Sequence, residues 1–325
     1  MSRRNMAVAR GLVAALALTV LAGPALAQDV LIRNAKVHTA AARGTLDNAD
    51  VLVRGGVVQS VGSGLSAPQG ATVVDAGGRP LTPAFFGGIT GIGIEEVSGE
   101  QATNDAALVL GEGAKDMVVR PEFDVTLAYN PDSIVLPVAR VEGIGFTLLN
   151  AASRPGGSII GGQGGVVRLD GGPDPIGPRT LYVSLGSGAA GLTGPSRAGQ
   201  WMLLDQLVDE ARGRIPAGSD VALLTPAGRA TLARYFSGNG RVVARVERAA
   251  DIRQLLRWSQ RHGVRIAIAG GAEAWRLAPE LARANVPVFV DTLVNLPSDF
   301  DQLAASLENA ARLRAAGVQV GFTQS

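Results

Sequence analysis

The spacing of apolar positions divides the chain into two patterns. Over residues 30–81 the apolar residues come in short β-branched or aliphatic runs: Val30-Leu31-Ile32, Val51-Leu52-Val53, residues 57–61 and Thr72-Val73-Val74. Gly55-Gly56, Gly62 with Gly64, and Gly77-Gly78 punctuate them. Runs of this length between glycine turns predict strands. The segment reads as a small sheet or half-sandwich, too small to stand alone.

From about Pro83 the period changes. Helical spacing appears over residues 197–212, 227–236, 251–262, 272–284 and 298–316. Asp251 and Ser298, the latter with Gln302 nearby, are candidate N-caps. Between the helices lie apolar runs at 242–246, 264–269, 286–290 and 318–322, of the kind found in buried parallel strands. Pro287 stands at the start of the third run, where a strand tolerates it best. Repeated strand–helix units predict an α/β barrel or an open doubly wound sheet. The glycine-rich stretch 156–172 reads as a long loop.

The first residues read as an address. Arg3, Arg4 and Arg10 precede an apolar stretch at 11–22, and Ala25-Leu26-Ala27 forms a small-x-small cleavage site. This predicts export to the periplasm or beyond with a cut after Ala27; the alternative is an uncleaved anchor. The apolar stretch is too short to span a bilayer, so no transmembrane span is expected after cleavage. Removal leaves 27 basic residues, three fewer than the full chain's 30, against 28 acidic ones. The pI of 9.4 therefore implies no basic surplus to grip nucleic acid. With no cysteine, disulfides and Cys–His hydrolysis are excluded. Stability must come from a core, which a chain that is 46% hydrophobic can build.

Few motifs carry chemistry. Gly186-Ser187-Gly188-Ala189-Ala190-Gly191 has dinucleotide-fingerprint spacing after an apolar run. Pro195 and Gly199 delay the helix whose N-terminus would meet the phosphates, so a loop fits better. G-x-S-x-G and the P-loop are absent from the sequence. His262, followed by Gly263, suits a helix C-terminus, and His38 a surface strand. Glu95 and Glu96 follow an apolar run, where paired carboxylates serve acid–base chemistry or simply face solvent. Glu273 follows the strand-like 264–269 run, at the catalytic face if this is a barrel. A first-turn helix acid is the equally good structural reading.

Three stretches together carry a family likeness. Asp29-Val30-Leu31-Ile32-Arg33-Asn34-Ala35-Lys36-Val37 and Asp50-Val51-Leu52-Val53-Arg54-Gly55-Gly56 are followed by Val73-Val74-Asp75-Ala76-Gly77-Gly78-Arg79-Pro80-Leu81-Thr82-Pro83. In order and spacing they resemble the N-terminal strands of the amidohydrolase superfamily, most of all its imidazolonepropionase-like branch. The likeness runs along nearly all of the chain after the leader. It implies a TIM-like barrel with a small β-sandwich, and one or two metal ions that activate water against C–N bonds in cyclic amides or peptides.

The departures fall on the metal. Where the family has an aspartate and then His-x-His, this chain reads Gly87-Gly88-Ile89-Thr90-Gly91, placing Ile89 and Gly91 at the two ligand positions. Arg245 falls at a third and Gly270 at a fourth, while Ser325 lies near the place of the catalytic aspartate. Neither Lys36 nor Lys115 lies where a carboxylated bridging lysine belongs. Two histidines in the whole chain cannot build an imidazole cluster. The sequence also stops at the expected eighth strand, which reads as truncation.

The expectation is an α/β fold: a TIM-like (β/α)8 barrel, incomplete at its C-terminus, with a small N-terminal β-sandwich portion. The divisions are 1–27 (leader), 28–82 (sandwich portion) and 83–325 (barrel). Glu273 is the candidate catalytic residue. Arg245, Glu247, Gly270, Asp291 and Glu95 line the candidate pocket, with the 156–165 stretch as a loop beside it. No cofactor is expected, although the resemblance implies zinc or another divalent metal. Three functions stay open. One is a metal-free, non-catalytic or impaired homologue that binds a small amide-like ligand or a catalytic paralogue. Another is a working C–N hydrolase with an unusual carboxylate site. The third is a structural subunit with a large apolar surface.

Overall fold

A computed structural model of the protein describes residues 28–97, 99–109, 119–293 and 297–323. The predicted leader 1–27, Lys115 and Ser325 lie outside these residues. The chain forms two compact units, Met1–Pro83 and Ala84–Ser325.

The first unit is one five-stranded sheet built from β1 (Val30–His38), β2 (Thr45–Arg54), β3 (Val57–Gly62), β4 (Thr72–Asp75) and β5 (Pro80–Leu81). Its order is β3-β2-β1-β4, with β5 also paired to β1. Leu31 is buried, and Ala35, Val37, Ala49 and Val51 form a small core. Asp50 is buried beneath this sheet, accepting from the N–H groups of Asn34 (3.1 Å) and Leu65 (2.9 Å). Burial opposes its ionisation, but those N–H groups and nearby Arg33 outweigh it and hold the carboxyl below its ordinary range.

The second unit is an eight-stranded sheet ordered β13-β12-β11-β10-β9-β8-β7-β6. The strands are β6 (Phe85–Thr90), β7 (Ile144–Leu149), β8 (Ile160–Arg168), β9 (Ile176–Ser184), β10 (Arg241–Val246), β11 (Ile266–Gly270), β12 (Val288–Asp291) and β13 (Val320–Thr323). Helices α1 (Val135–Val141), α2 (Arg197–Ala211), α3 (Pro226–Phe236), α4 (Ala249–His262), α5 (Ala278–Arg283) and α6 (Asn309–Ala315) accompany it. Successive residues of β10 face opposite ways, as a pleat requires. Val242, Ala244 and Val246 pack with Ile252, Leu255 and Leu256 of α4 in an outer core. Val243 points inward among Ile89, Tyr182, Ala267 and Ala269. The sheet is thus the nearly closed, helix-clad barrel expected of the sequence.

The two ends of the sheet meet through a side chain. Thr323 Oγ1 accepts from the Ile89 N–H (2.9 Å) and donates to the Ile89 carbonyl (3.0 Å). Gly88 makes the approach possible, because a Cβ there would lie 2.8 Å from the Phe322 carbonyl oxygen.

Three elements differ from the sequence reading. The 156–172 stretch is not a loop throughout: β8 occupies its centre and runs antiparallel to both β7 and β9. Two of its glycines are there because backbone comes too close for side chains. A Cβ at Gly164 would stand 1.9 Å from the Leu149 carbonyl oxygen, and one at Gly161 2.3 Å from that of Ala151. The expected helix 272–284 is a 3-10 turn (Ala274–Leu277) followed by α5, with Pro279 at the break, where it has no N–H to give an α-helical bond. The expected helix 298–316 reduces to α6. Ser298 donates to Gln302, Asp299 accepts from the Asp301 N–H, and the Ala304 N–H and carbonyl bond to Glu273 and Trp275 instead of their own turn.

Capping also differs at α4. Asp251 lies in its first turn and not at the cap, and its carboxylate joins Arg197 and Arg248. The helix ends as expected on Gly263 in the left-handed region (φ 66°). His262 bonds Asp205 (3.0 Å), and His38 bonds Thr45 (3.0 Å). Among the described residues no helix is long and apolar enough to cross a membrane.

Candidate functional site

Parallel strands present their C-terminal ends together, and that is where two neighbouring cavities lie. The first, of about 180 Å³, is lined by Ile89 of β6, Asn150 to Ser153 beyond β7, Tyr182 to Ser184 of β9, Val243 and Arg245 of β10, and Ala269 of β11. The second, of about 140 Å³, is lined by Glu247, Gly270, Ala272, Val290, Asp291 and Thr292. The 306–310 segment and Phe322 complete it. Arg245 therefore belongs to one cavity, and Glu247, Gly270 and Asp291 to the next.

Arg245 is half-buried, and its guanidinium makes no hydrogen bond or ion pair among the described residues. Tyr182, inward-facing and 5% exposed, carries a hydroxyl with no hydrogen-bond partner among the described residues. Burial pushes that phenol well above its ordinary range, only partly opposed by the charge of Arg245.

Glu247 and Gly270 form a unit. Gly270 has φ +86°, and a Cβ on it would sit 1.9 Å from Glu247 Oε1. The Glu247 carboxylate thus fills the space that a side chain at 270 would need. Its Oε2 accepts from the Ala272 N–H (2.8 Å). Burial raises the Glu247 pKa; the Ala272 N–H and Arg245 pull it back, while Asp291 and Asp299 push the same way as burial. Asp291 ends β12 and accepts from the Leu293 N–H (2.8 Å).

The remaining candidates are placed elsewhere. Glu273 is buried, and both its oxygens accept backbone N–H groups: Ala249 at the start of α4 (2.9 Å) and Ala304 (2.9 Å). It caps from another element a helix whose own N-cap residue, Arg248, makes no side-chain cap bond. Glu95 is half-buried beside Gly91, whose Cβ would lie 3.2 Å from Glu95 Oε2. Glu96 accepts from Asn130 (3.1 Å) and Ser133 (2.8 Å). The 160–165 part of the supposed loop is interior strand and offers no mobile flap. The fingerprint-like 186–191 segment is a 3-10 turn whose Ser187 N–H and hydroxyl both donate to Asp301. Burial opposes ionisation of Asp301, but Ser187 and Arg197 hold its carboxyl below the usual range.

A transition metal that activates water needs three or more nitrogen, sulfur or carboxylate donors converging. Among the described residues no group of three or more His, Cys, Asp or Glu could hold one. Ile89 offers no donor, Arg245 carries a cation's own charge, and the Gly270 space is taken by a carboxylate already bonded to backbone. The described residues offer no donor set that fits the metal centre the sequence resemblance implies.

Sequence reasoning did not single out Tyr182, Asn150 or Ser184. The only hint was a hydroxyl-bearing aromatic inside the apolar run 181–185, a pattern shared with ordinary core strands.

No family model matches the sequence. The coordinates resemble those of an amidohydrolase from Thermotoga maritima, with a TM-score of 0.74 at 22% identity, over 90% of this chain and 78% of that one. At that identity the likeness is one of fold, and the barrel described above is its common ground. A triazine hydrolase from Arthrobacter aurescens aligns at 13% identity and TM-score 0.46, over 92% of this chain and 72% of its own. In sequence, protein unc-33 of Caenorhabditis elegans is 33% identical over 94 residues, which is 29% of this chain and 10% of that protein. The chain thus spans about a tenth of the length of that relative.

Proposed function

We propose that this chain is an exported, amidohydrolase-like barrel protein of the imidazolonepropionase-like branch that binds a small amide-like ligand without hydrolysing it. The observation that carries the reading is that Ile89 and Arg245 line one cavity at the strand ends. In the resemblance both occupy metal-ligand positions. A guanidinium there repels a divalent ion and cannot donate a lone pair to it. The fold shared with the Thermotoga protein supports the barrel part of this reading only.

A second reading has its own observation. Glu247 and Asp291 line one cavity, and the Glu247 pKa is raised. Two carboxylates facing one space are what general acid–base hydrolysis requires. An assay of the purified chain against a panel of cyclic amides and dipeptides, with and without added Zn²⁺, separates the two. The binding reading expects no turnover above buffer in either condition. Turnover lost in both Glu247→Gln and Asp291→Asn would establish the carboxylate reading.

A further inference from the structure

The barrel-mouth cavity contains two polar groups that nothing among the described residues satisfies. Among the described residues the Arg245 guanidinium has no acceptor and the buried Tyr182 hydroxyl has no partner. A buried hydroxyl like that of Tyr182 left without a partner is uncommon, because nothing repays its loss of water. Both line the same space, with Asn150 and Ser184 beside them and Ile89 and Val243 as apolar wall. The phenol cannot readily swing away: Gly164 backs its ring so closely that a Cβ there would lie 2.9 Å from Tyr182 Cε2.

We infer that this cavity binds a compact carboxylate, its anionic oxygens held by Arg245 and by the hydroxyl of Tyr182. Resting on the non-hydrolytic reading above, this adds that the amide-like ligand also carries a free carboxylate, which a neutral amide lacks. A guanidinium presents paired N–H donors that match a carboxylate. The phenol, kept protonated, can only add a third donor. Glu247, two residues on, is engaged by the Ala272 N–H and turned against Gly270 rather than paired with the guanidinium. A dry cavity of about 150 Å³ is known to take a benzene ring. The 180 Å³ here therefore suits an acid with a small ring or short branched chain.

The test uses the full-length chain after chelator treatment. Acetate, butyrate and benzoate are titrated by calorimetry and by thermal shift, with benzamide as the neutral control. At least one carboxylate is expected to bind saturably, with benzamide about tenfold or more weaker than benzoate. Arg245→Met should weaken the carboxylate about tenfold or more, with Arg245→Lys intermediate. Tyr182→Phe should weaken it several-fold while leaving the ligand-free melting temperature unchanged or higher, because the orphan hydroxyl is gone. The inference is overturned if no carboxylate binds at about 10 mM, if benzamide binds as well as benzoate, or if Arg245→Met and Arg245→Lys both keep wild-type affinity. Failure here with a metal-free, inactive protein sinks the anion site alone. A stoichiometric metal in the untreated protein sinks the reading beneath it, whatever the titrations give.

Discussion

At the scale of single residues, the site turns on the pairing of Glu247 with Gly270. A glycine is required at 270 twice over, by its φ of +86° and by the carboxylate where its Cβ would be. Burial raises the Glu247 pKa above that of the unfolded chain. The contribution this makes is fully present below the unfolded pKa and is lost as pH rises through the higher folded one. Glu247→Gln keeps an acceptor for the Ala272 N–H and removes the charge. Its melting temperature should match wild type near pH 4 and exceed it by about 2–4 °C near pH 8. Comparing variant with wild type at each pH cancels the acid-side losses of Asp50 and Asp301, whose carboxyls are shifted the other way. Equal melting temperatures across that range would show that Glu247 is not strained by its surroundings. The sequence placed both residues in the candidate pocket but could not show their pairing: the glycine read as a missing histidine, and nothing marked the glutamate as filling its space.

Among the elements, Glu273 shows how a residue can look catalytic and serve the scaffold. It stands just past β11, where barrel enzymes keep their chemistry. Its two oxygens instead start α4 at Ala249 and hold the 304 segment. Glu273→Ala should destabilise the barrel by about 1–3 kcal/mol, measured by denaturant unfolding. Glu273→Gln, which keeps one acceptor and must turn an amide donor toward an N–H, should fall between. Any ligand binding measured on folded Glu273→Gln should be unchanged; a loss of binding without a loss of stability would return the residue to the site.

The same scale shows what local pattern can and cannot reveal. The spans of α2, α3 and α4 follow from helical spacing, and β10 to β12 from apolar runs between them. β8 was illegible because its sequence answers to neighbours and not to strand propensity. Gly161 and Gly164 are chosen by the carbonyls of Ala151 and Leu149. Residues 298–308 have a helix-forming composition, but Gln302, Asp299 and Asp301 give their side chains to non-helical bonds.

For the whole molecule, the alternation of strands and helices showed an α/β fold, barrel or open sheet; the family resemblance chose the barrel, and neither showed how it closes. The first and last strands of the sheet are joined by the Thr323 hydroxyl at Ile89, two residues 234 positions apart. The same long-range geometry gathers Ile89, Tyr182 and Arg245 into one cavity from three separate strands. Tyr182 looked like core until its hydroxyl was seen to lack a partner. The central claim is that this mouth is chemically unsuited to a hydroxide-forming metal. It is tested most directly by the metal content of the intact chain, purified without added metal and dialysed against chelator. Zinc, manganese and iron together should fall well below about 0.1 per chain, since no three donors converge among the described residues; about one ion per chain, surviving the dialysis, would contradict this.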